Sequence, residues 1–276
     1  MRQKGGEAVK KNKRVRSLIL ILSIIILAGV LAFSLYQALA IYIPQKREQD
    51  RFSELRELVR KNPADQPTDS EGNPAKTDEN GEGRIDLVTL TVYNDEAVAW
   101  LKVNDTQIDY PVMKSPDDDP EYYLHRDFDR SYSFSGCLFV GQHCTTESDV
   151  FVIYGHNMNN GSMFGELDYY SDPNFASAHQ DMMLDTMTEH RIYRVFAAFS
   201  TQVYDEDDED YDDVYKYYNS VGDFDEAGYH SVVNSIQSLS QIDIGNQPQY
   251  PAQIMLLSTC AYHTEEGRFV VAAYRI

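Results

Sequence analysis

An uninterrupted run without a charged side chain, residues 18–43 (LILILSIIILAGVLAFSLYQALAIYI), constrains this chain more than any other feature. About 20 helical residues rising ~1.5 Å each cross a hydrocarbon core of about 30 Å, so this run is long enough to span a bilayer with some tilt. Lys10, Lys11, Lys13, Arg14 and Arg16 stand immediately before it. The positive-inside rule keeps that basic end in the cytoplasm and places the carboxyl-terminal bulk outside. Ala38-Leu39-Ala40 has the form of a signal-peptidase site. The apolar run is, however, much longer than the usual h-region of about 7–15 residues, which favours an uncleaved anchor. The expected organisation is a cytoplasmic basic segment (1–17), a transmembrane anchor (18–43), a juxtamembrane helix and linker (44–84), and an extracytoplasmic domain (85–276).

Charge separates along the same boundary. The 276 residues carry a formal net charge of −20. Residues 1–16 hold seven Lys/Arg against one Glu, or +6, which leaves −26 for the remainder. Phosphate backbones repel so acidic a chain, so nucleic acid is excluded as a partner. Three cysteines are too few for a disulfide-built scaffold.

Residues 45–62 place Phe52, Leu55, Leu58 and Val59 at helical spacing among charges. Pro63 to Gly83 is almost devoid of apolar residues, and its composition reads as a flexible tether. Beyond it, short runs rich in Val, Ile, Tyr, Phe and Thr predict strands. They lie at Ala99–Val103, Gln107–Tyr110, Cys137–Val140, Val150–Ile153, Met182–Thr186, Arg191–Ser200, Gln253–Ser258 and Arg268–Tyr274. Two helices are expected, a short one at Phe164–Tyr170 and a longer one at Asp225–Leu239 with Val232, Val233, Ile236 and Leu239 on one face. The fold class is therefore mainly β with some α, a closed or nearly closed barrel with helical insertions. The block Tyr204–Tyr218 (YDEDDEDYDDVYKYY) reads as a solvated loop. A Ca²⁺ site there would lack the spacing and glycine of an EF-hand.

Chemistry is suggested where apolar strands run into polar residues. Gln253-Ile-Met-Leu-Leu-Ser-Thr-Cys260 would deliver a thiol to a strand end, and Arg268 follows eight residues later on the next predicted strand. A cation beside a thiol favours thiolate and can stabilise an oxyanion. The bland alternative for Cys260 is a small core residue. Val150-Phe-Val-Ile-Tyr-Gly-His156 ends a strand in the same way, with an imidazole suited to proton transfer. Cys137 reads as a buried strand residue and Cys144, beside His143, as a candidate exposed thiol. Seven extended residues would hold those two about 23 Å apart, and a disulfide needs Cα atoms within about 7 Å, so they pair only if the chain turns around Gly141. His-Glu-x-x-His, Gly-x-Ser-x-Gly, P-loop and Cys-x-x-Cys patterns are absent.

At these residues the chain resembles a class B sortase. Tyr154-Gly-His-Asn-Met158 looks like the histidine motif, and Leu257-Ser-Thr-Cys260 like the cysteine motif. Arg268 in Gly-Arg-Phe-Val-Val looks like the family arginine, and Trp100 to Val112 resembles the first barrel strands. The resemblance spans about residues 85–276. It implies a membrane-anchored cysteine transpeptidase of the Gram-positive cell envelope, with Cys260 as nucleophile, His156 as acid and base, and Arg268 at the oxyanion. Ser258, Thr259 and Asn157 are the expected substrate-binding residues. The implied partners are surface proteins bearing a sorting signal, cut after a threonine, and an amine of a lipid-linked peptidoglycan precursor or a pilin. The expected species is a monomer with no metal and no cofactor. Several class B members carry an acidic residue shortly after the cysteine, whereas positions 261–264 here are Ala-Tyr-His-Thr. The resemblance gives no role to Cys137 or Cys144. The chain ends at Tyr274-Arg275-Ile276 without a sorting pentapeptide, apolar tail and basic end, so the expectation is an enzyme and not its substrate. Two rivals remain at this level: an exported cysteine peptidase that passes the acyl group to water, and a catalytically inactive surface-binding module.

Overall fold

The computed structural model describes residues 4–60, 85–204, 207–208, 211–261, 264 and 266–276, with side chains from residue 18 onward. The tether expected at Pro63–Gly83 and part of the acidic block lie outside the described residues. Two compact units are present, Met1–Asp50 and Arg51–Ile276. The first consists of most of α1 (Lys4–Val59), a helix that continues through Pro44. Its apolar stretch from Leu18 is long and apolar enough to cross a membrane, and the side chains from Leu18 to Ile43 are exposed.

The second unit is a closed barrel of eight strands in the order β1-β2-β3-β4-β7-β8-β6-β5. These are β1 (Ala97–Val103), β2 (Asp109–Lys114), β3 (Leu138–Val140), β4 (Val150–Tyr154), β5 (Asp181–Thr186), β6 (His190–Gln202), β7 (Ile254–Cys260) and β8 (Gly267–Arg275). Each overlaps a run expected from sequence. β2 is displaced toward the carboxyl end. Thr106 Oγ1 donates to the Val103 carbonyl and accepts from the Ile108 amide, so 104–108 is used in the turn. Pro111 faces Trp100 on β1, and pairing with β3 starts only at Val112. Its missing N–H therefore falls where that edge of β2 is open.

Among the described residues, the barrel unit also holds the end of α1, α2 (Leu87–Tyr93), α3 (Pro173–Ala178) and α4 (Glu226–Leu239). α4 matches its expected span and is capped by Asp225, whose side chain accepts from the Gly228 amide at 2.8 Å. Tyr229, Val232, Val233 and Ile236 are buried, whereas Leu239, expected on that face, is exposed in the last turn. The helix expected at Phe164–Tyr170 is instead a loop followed by a 3₁₀ turn at Leu167–Ser171. Gly165 packs so tightly on the Met158 carbonyl that a Cβ would sit 2.3 Å from it. α3 then starts at Pro173, with Asp172 capping it. α2, rich in β-branched residues, was not expected; Leu87 and Leu90 bury its inner side.

Residues 51–59 of α1 belong to the barrel unit. Phe52, Leu55 and Val59 are buried, and the Phe52 ring meets Tyr110 edge-on at 5.1 Å. Arg56 and Arg60 both pair with Asp109, whose other oxygen accepts from Trp100 Nε1 at 2.6 Å. The turn ahead of β4 is held from below by Arg191, whose side chain is 1% exposed. Arg191 grips both oxygens of Glu147 and the Thr146 carbonyl, while Gln253 donates to the Thr146 and Ser148 carbonyls. Leu55→Ala should cost about 2–5 kcal/mol of stability by removing a fully buried side chain. Urea unfolding of the variant against the parent measures that loss, and an unchanged midpoint would mean that the helix end contributes no packing.

Candidate active site

Parallel pairing of β4 with β7 sets the site. Its register ends at Tyr154 opposite Ser258. Two residues further along each chain come His156 and Cys260, so the imidazole and the thiol leave the same rim at the same level. On the other side of β7, Cys260 is in register with Arg268 of β8. Neighbouring strands lie about 4.7–4.9 Å apart, which places the three positions side by side with the cysteine in the middle. They face one cavity of about 350 Å³. Its wall also includes Leu124, Tyr154, Tyr217, Tyr218 and the segment Gly141–His143.

Each group has a distinct environment. Cys260 is half-buried, and the structure holds it as a free thiol. His156 Nε2 lies 2.9 Å from the Leu124 carbonyl. A carbonyl only accepts, so Nε2 carries the proton and Nδ1 holds the lone pair of the neutral ring. Burial is the main cause that lowers the His156 pKa below its ordinary value; the Leu124 hydrogen bond opposes this, and the nearby His125 reinforces it. The His125 ring lies 5.2 Å away, and the Phe134 ring lies parallel to the imidazole at 6.4 Å. Arg268 donates from Nη1 to the Gly267 carbonyl at 3.0 Å and from Nη2 to Glu266 at 3.2 Å. Burial pushes the Tyr217 phenol up to about 12 and the Tyr154 phenol well above its ordinary value, so both remain neutral at physiological pH.

The three residues expected to bind substrate each hold hydrogen bonds within the protein, and Ser258 and Thr259 also line the cavity. Ser258 is fully buried and shares a 2.7 Å hydrogen bond with the Tyr217 hydroxyl. Thr259 Oγ1 donates to the Gly155 carbonyl at 2.8 Å. Asn157 Nδ2 donates to the Cys260 carbonyl and to Asp168, both at 2.9 Å. All three brace the strand ends that carry His156 and Cys260. Cys144, expected to be exposed, is buried, because Lys114 Nζ bonds the Gly141 and Cys144 carbonyls and folds this segment onto the barrel. Its Sγ donates to the Gly141 carbonyl, and burial raises the thiol pKa. Cys137 is buried too, and no disulfide joins the pair. Among the described residues no cluster of His, Cys, Asp and Glu has the form of a metal site. The tyrosine wall was missed in the sequence. Its signal was the tyrosine content of the block at 204–218, which reads as loop until Tyr217 is seen buried under the cavity.

A family model described as the sortase domain matches residues 101–276. A sortase B of Listeria monocytogenes is 37% identical over 129 residues, covering 46% of this chain and 52% of that protein, so the match spans about half of its length. A sortase B of Staphylococcus aureus is 24% identical over 94% of this chain and 97% of that protein. The crystal structure of a sortase B from B. anthracis superposes with a TM-score of 0.65 at 25% identity, over 85% of this chain and 99% of that one.

Because its folded-state pKa is lowered, His156 protonates in the unfolded chain first as pH falls. Stability should therefore decline as pH drops below about 6.5 and through the lowered folded value. NMR titration of the imidazole should give a midpoint below the ordinary value, and His125→Asn should move it up by removing a like charge. A His156 midpoint above the ordinary value would contradict the buried environment described.

Proposed function

Since the chain belongs to the sortase family, we propose that it is a membrane-anchored cysteine transpeptidase of class B type. The single observation that supports the reading most is the common level of His156, two residues beyond β4, with Cys260 on β7 and Arg268 on β8 at one cavity.

In this reading, the Cys260 proton passes to His156 and the thiolate sulfur attacks the carbonyl carbon that follows a threonine in a sorting signal. The carbonyl electron pair moves onto oxygen, where the Arg268 guanidinium stabilises it. Collapse re-forms the C=O bond and breaks the C–N bond, and the imidazolium gives its proton to the departing amine. A thioester on Cys260 remains. An amine of a peptidoglycan precursor or a pilin then attacks that carbonyl carbon, His156 takes its proton, and the C–S bond breaks. The neutral phenols of Tyr154 and Tyr217 offer hydrogen bonds to a bound peptide without adding charge. Arg268 exchanges part of its contact with Glu266 for the developing oxyanion, and this exchange stays local because Glu266 is largely exposed.

The apolar stretch of α1 anchors the enzyme, with Lys10 to Arg16 on the cytoplasmic side and the barrel outside. Substrates that cross the same membrane then meet the cavity at raised effective concentration.

Incubation with a panel of sorting peptides, read by intact-protein mass spectrometry, should trap an acyl-enzyme that Cys260→Ala abolishes. Arg268→Ala should lower the acylation rate about 10²–10³-fold, and His156→Ala about 10²–10⁴-fold. An added amine should divert the acyl group from water to an amide product. Release to water alone, whatever amine is supplied, would make the protein a peptidase, and near-normal turnover by Cys260→Ala would remove the nucleophile from this site.

A further inference from the structure

Backbone pairing between β4 and β7 stops at Tyr154 and Ser258, yet both reacting side chains lie beyond that point. Three hydrogen bonds continue the seam. The Gly155 amide donates to the Ser258 carbonyl at 3.2 Å, Thr259 Oγ1 donates to the Gly155 carbonyl, and Asn157 Nδ2 donates to the Cys260 carbonyl. The last of these touches the cysteine itself. It requires the Asn157 amide to present nitrogen, because a flipped amide would set its oxygen against the Cys260 carbonyl oxygen.

Asp168 decides that orientation. Its Oδ2 accepts the second Nδ2 hydrogen of Asn157 at 2.9 Å, and a carboxylate has no hydrogen to offer an amide oxygen. Both hydrogens of the amide nitrogen are thus committed, one to a charged acceptor and one to the cysteine's carbonyl. The other oxygen, Asp168 Oδ1, is buried and has no hydrogen-bond partner among the described residues. An unpartnered buried carboxylate oxygen is a cost with no benefit to folding, and such costs concentrate where geometry serves function. Asp168 stands at the start of the 3₁₀ turn Leu167–Ser171, eleven residues after Asn157 and far in sequence from β7, and its carbonyl accepts from Ser171 Oγ.

We propose that Asp168 is a positioning residue for Cys260: by fixing the Asn157 amide it holds the carbonyl end of β7, and with it the thiol, level with His156. The proposal deepens the transpeptidase reading and rests on it for its kinetic test. Asn at position 168 can still present an oxygen to the Asn157 amide, whereas Ala cannot. Asp168→Ala should therefore lower kcat for acyl-enzyme formation about tenfold or more, as expected for a displaced nucleophile, with KM within about twofold. Asp168→Asn should restore most of the loss. In ¹H–¹⁵N spectra the Asn157 side-chain NH₂ should show two resolved, exchange-protected signals in the parent and in Asp168→Asn, and lose that protection in Asp168→Ala. A kcat for Asp168→Ala within twofold of the parent, a change confined to KM, or an Asn variant as slow as the Ala variant would overturn the proposal. If the parent forms no acyl-enzyme with any sorting peptide, the transpeptidase reading fails by itself. The amide signals then decide the Asp168 contact, and unchanged protection in Asp168→Ala refutes it.

Discussion

The register of β7 between its two neighbours is the constraint on which the site depends. A parallel partner on one side and an antiparallel partner on the other bring three chain segments, separated by about a hundred residues and by eight, to one level of one rim. A strand slipped by one residue turns every side chain to the opposite face. Here it would also move the thiol out of line with both the imidazole and the guanidinium. The register is secured by the core, since Ile254 to Leu257 are fully buried and pair along their whole length with β4 and β8.

Around that register, His156 is placed where burial opposes its charged form, and Arg268 is held by a partner it can release. Burial opposes charging of His156, so its proton is easily given up, while Nε2 remains tied to Leu124. Arg268 is paired with a largely exposed glutamate, and exposed ion pairs contribute little, so redirecting the guanidinium costs little. By contrast, the turn ahead of β4 is bound by a buried guanidinium. Arg191 is almost completely enclosed and gripped by both oxygens of Glu147. Leaving that enclosed guanidinium without acceptors is more costly than breaking a surface contact.

Much of this was legible in the sequence because strands announce themselves locally. Runs such as Val150–Ile153 and Gln253–Ser258 are apolar, β-branched and bounded by turn residues, and all eight expected runs overlap observed strands. The polar residue closing each run marked His156 and Cys260 as rim residues. What the sequence concealed was partnership. Ser258, Thr259 and Asn157 are small polar residues beside reacting groups, and nothing in composition tells a substrate contact from a brace. Only the positions of Tyr217, Gly155 and Asp168 reveal the hydrogen bonds that each of the three makes within the protein. α2 was hidden for a related reason: Leu87–Tyr93 has strand-like composition, and tertiary burial of Leu87 and Leu90 overrides that preference. Cys144 looked exposed because its neighbours are polar, and Lys114, thirty residues earlier, folds it inward.

The topology also explains why the cavity has the walls it has. Two parallel strands cannot be joined by a tight turn, so β4 and β7 require a long crossover. That crossover runs from Gly155 to Gln253 and contains β5, β6, α3 and α4. On its way it supplies Val203, Tyr217 and Tyr218 to the cavity and Asp168 to the seam behind the cysteine. The connection demanded by parallel pairing is therefore the segment that encloses the site. Changes in the crossover loops can reshape the cavity while His156, Cys260 and Arg268 stay where the barrel register puts them.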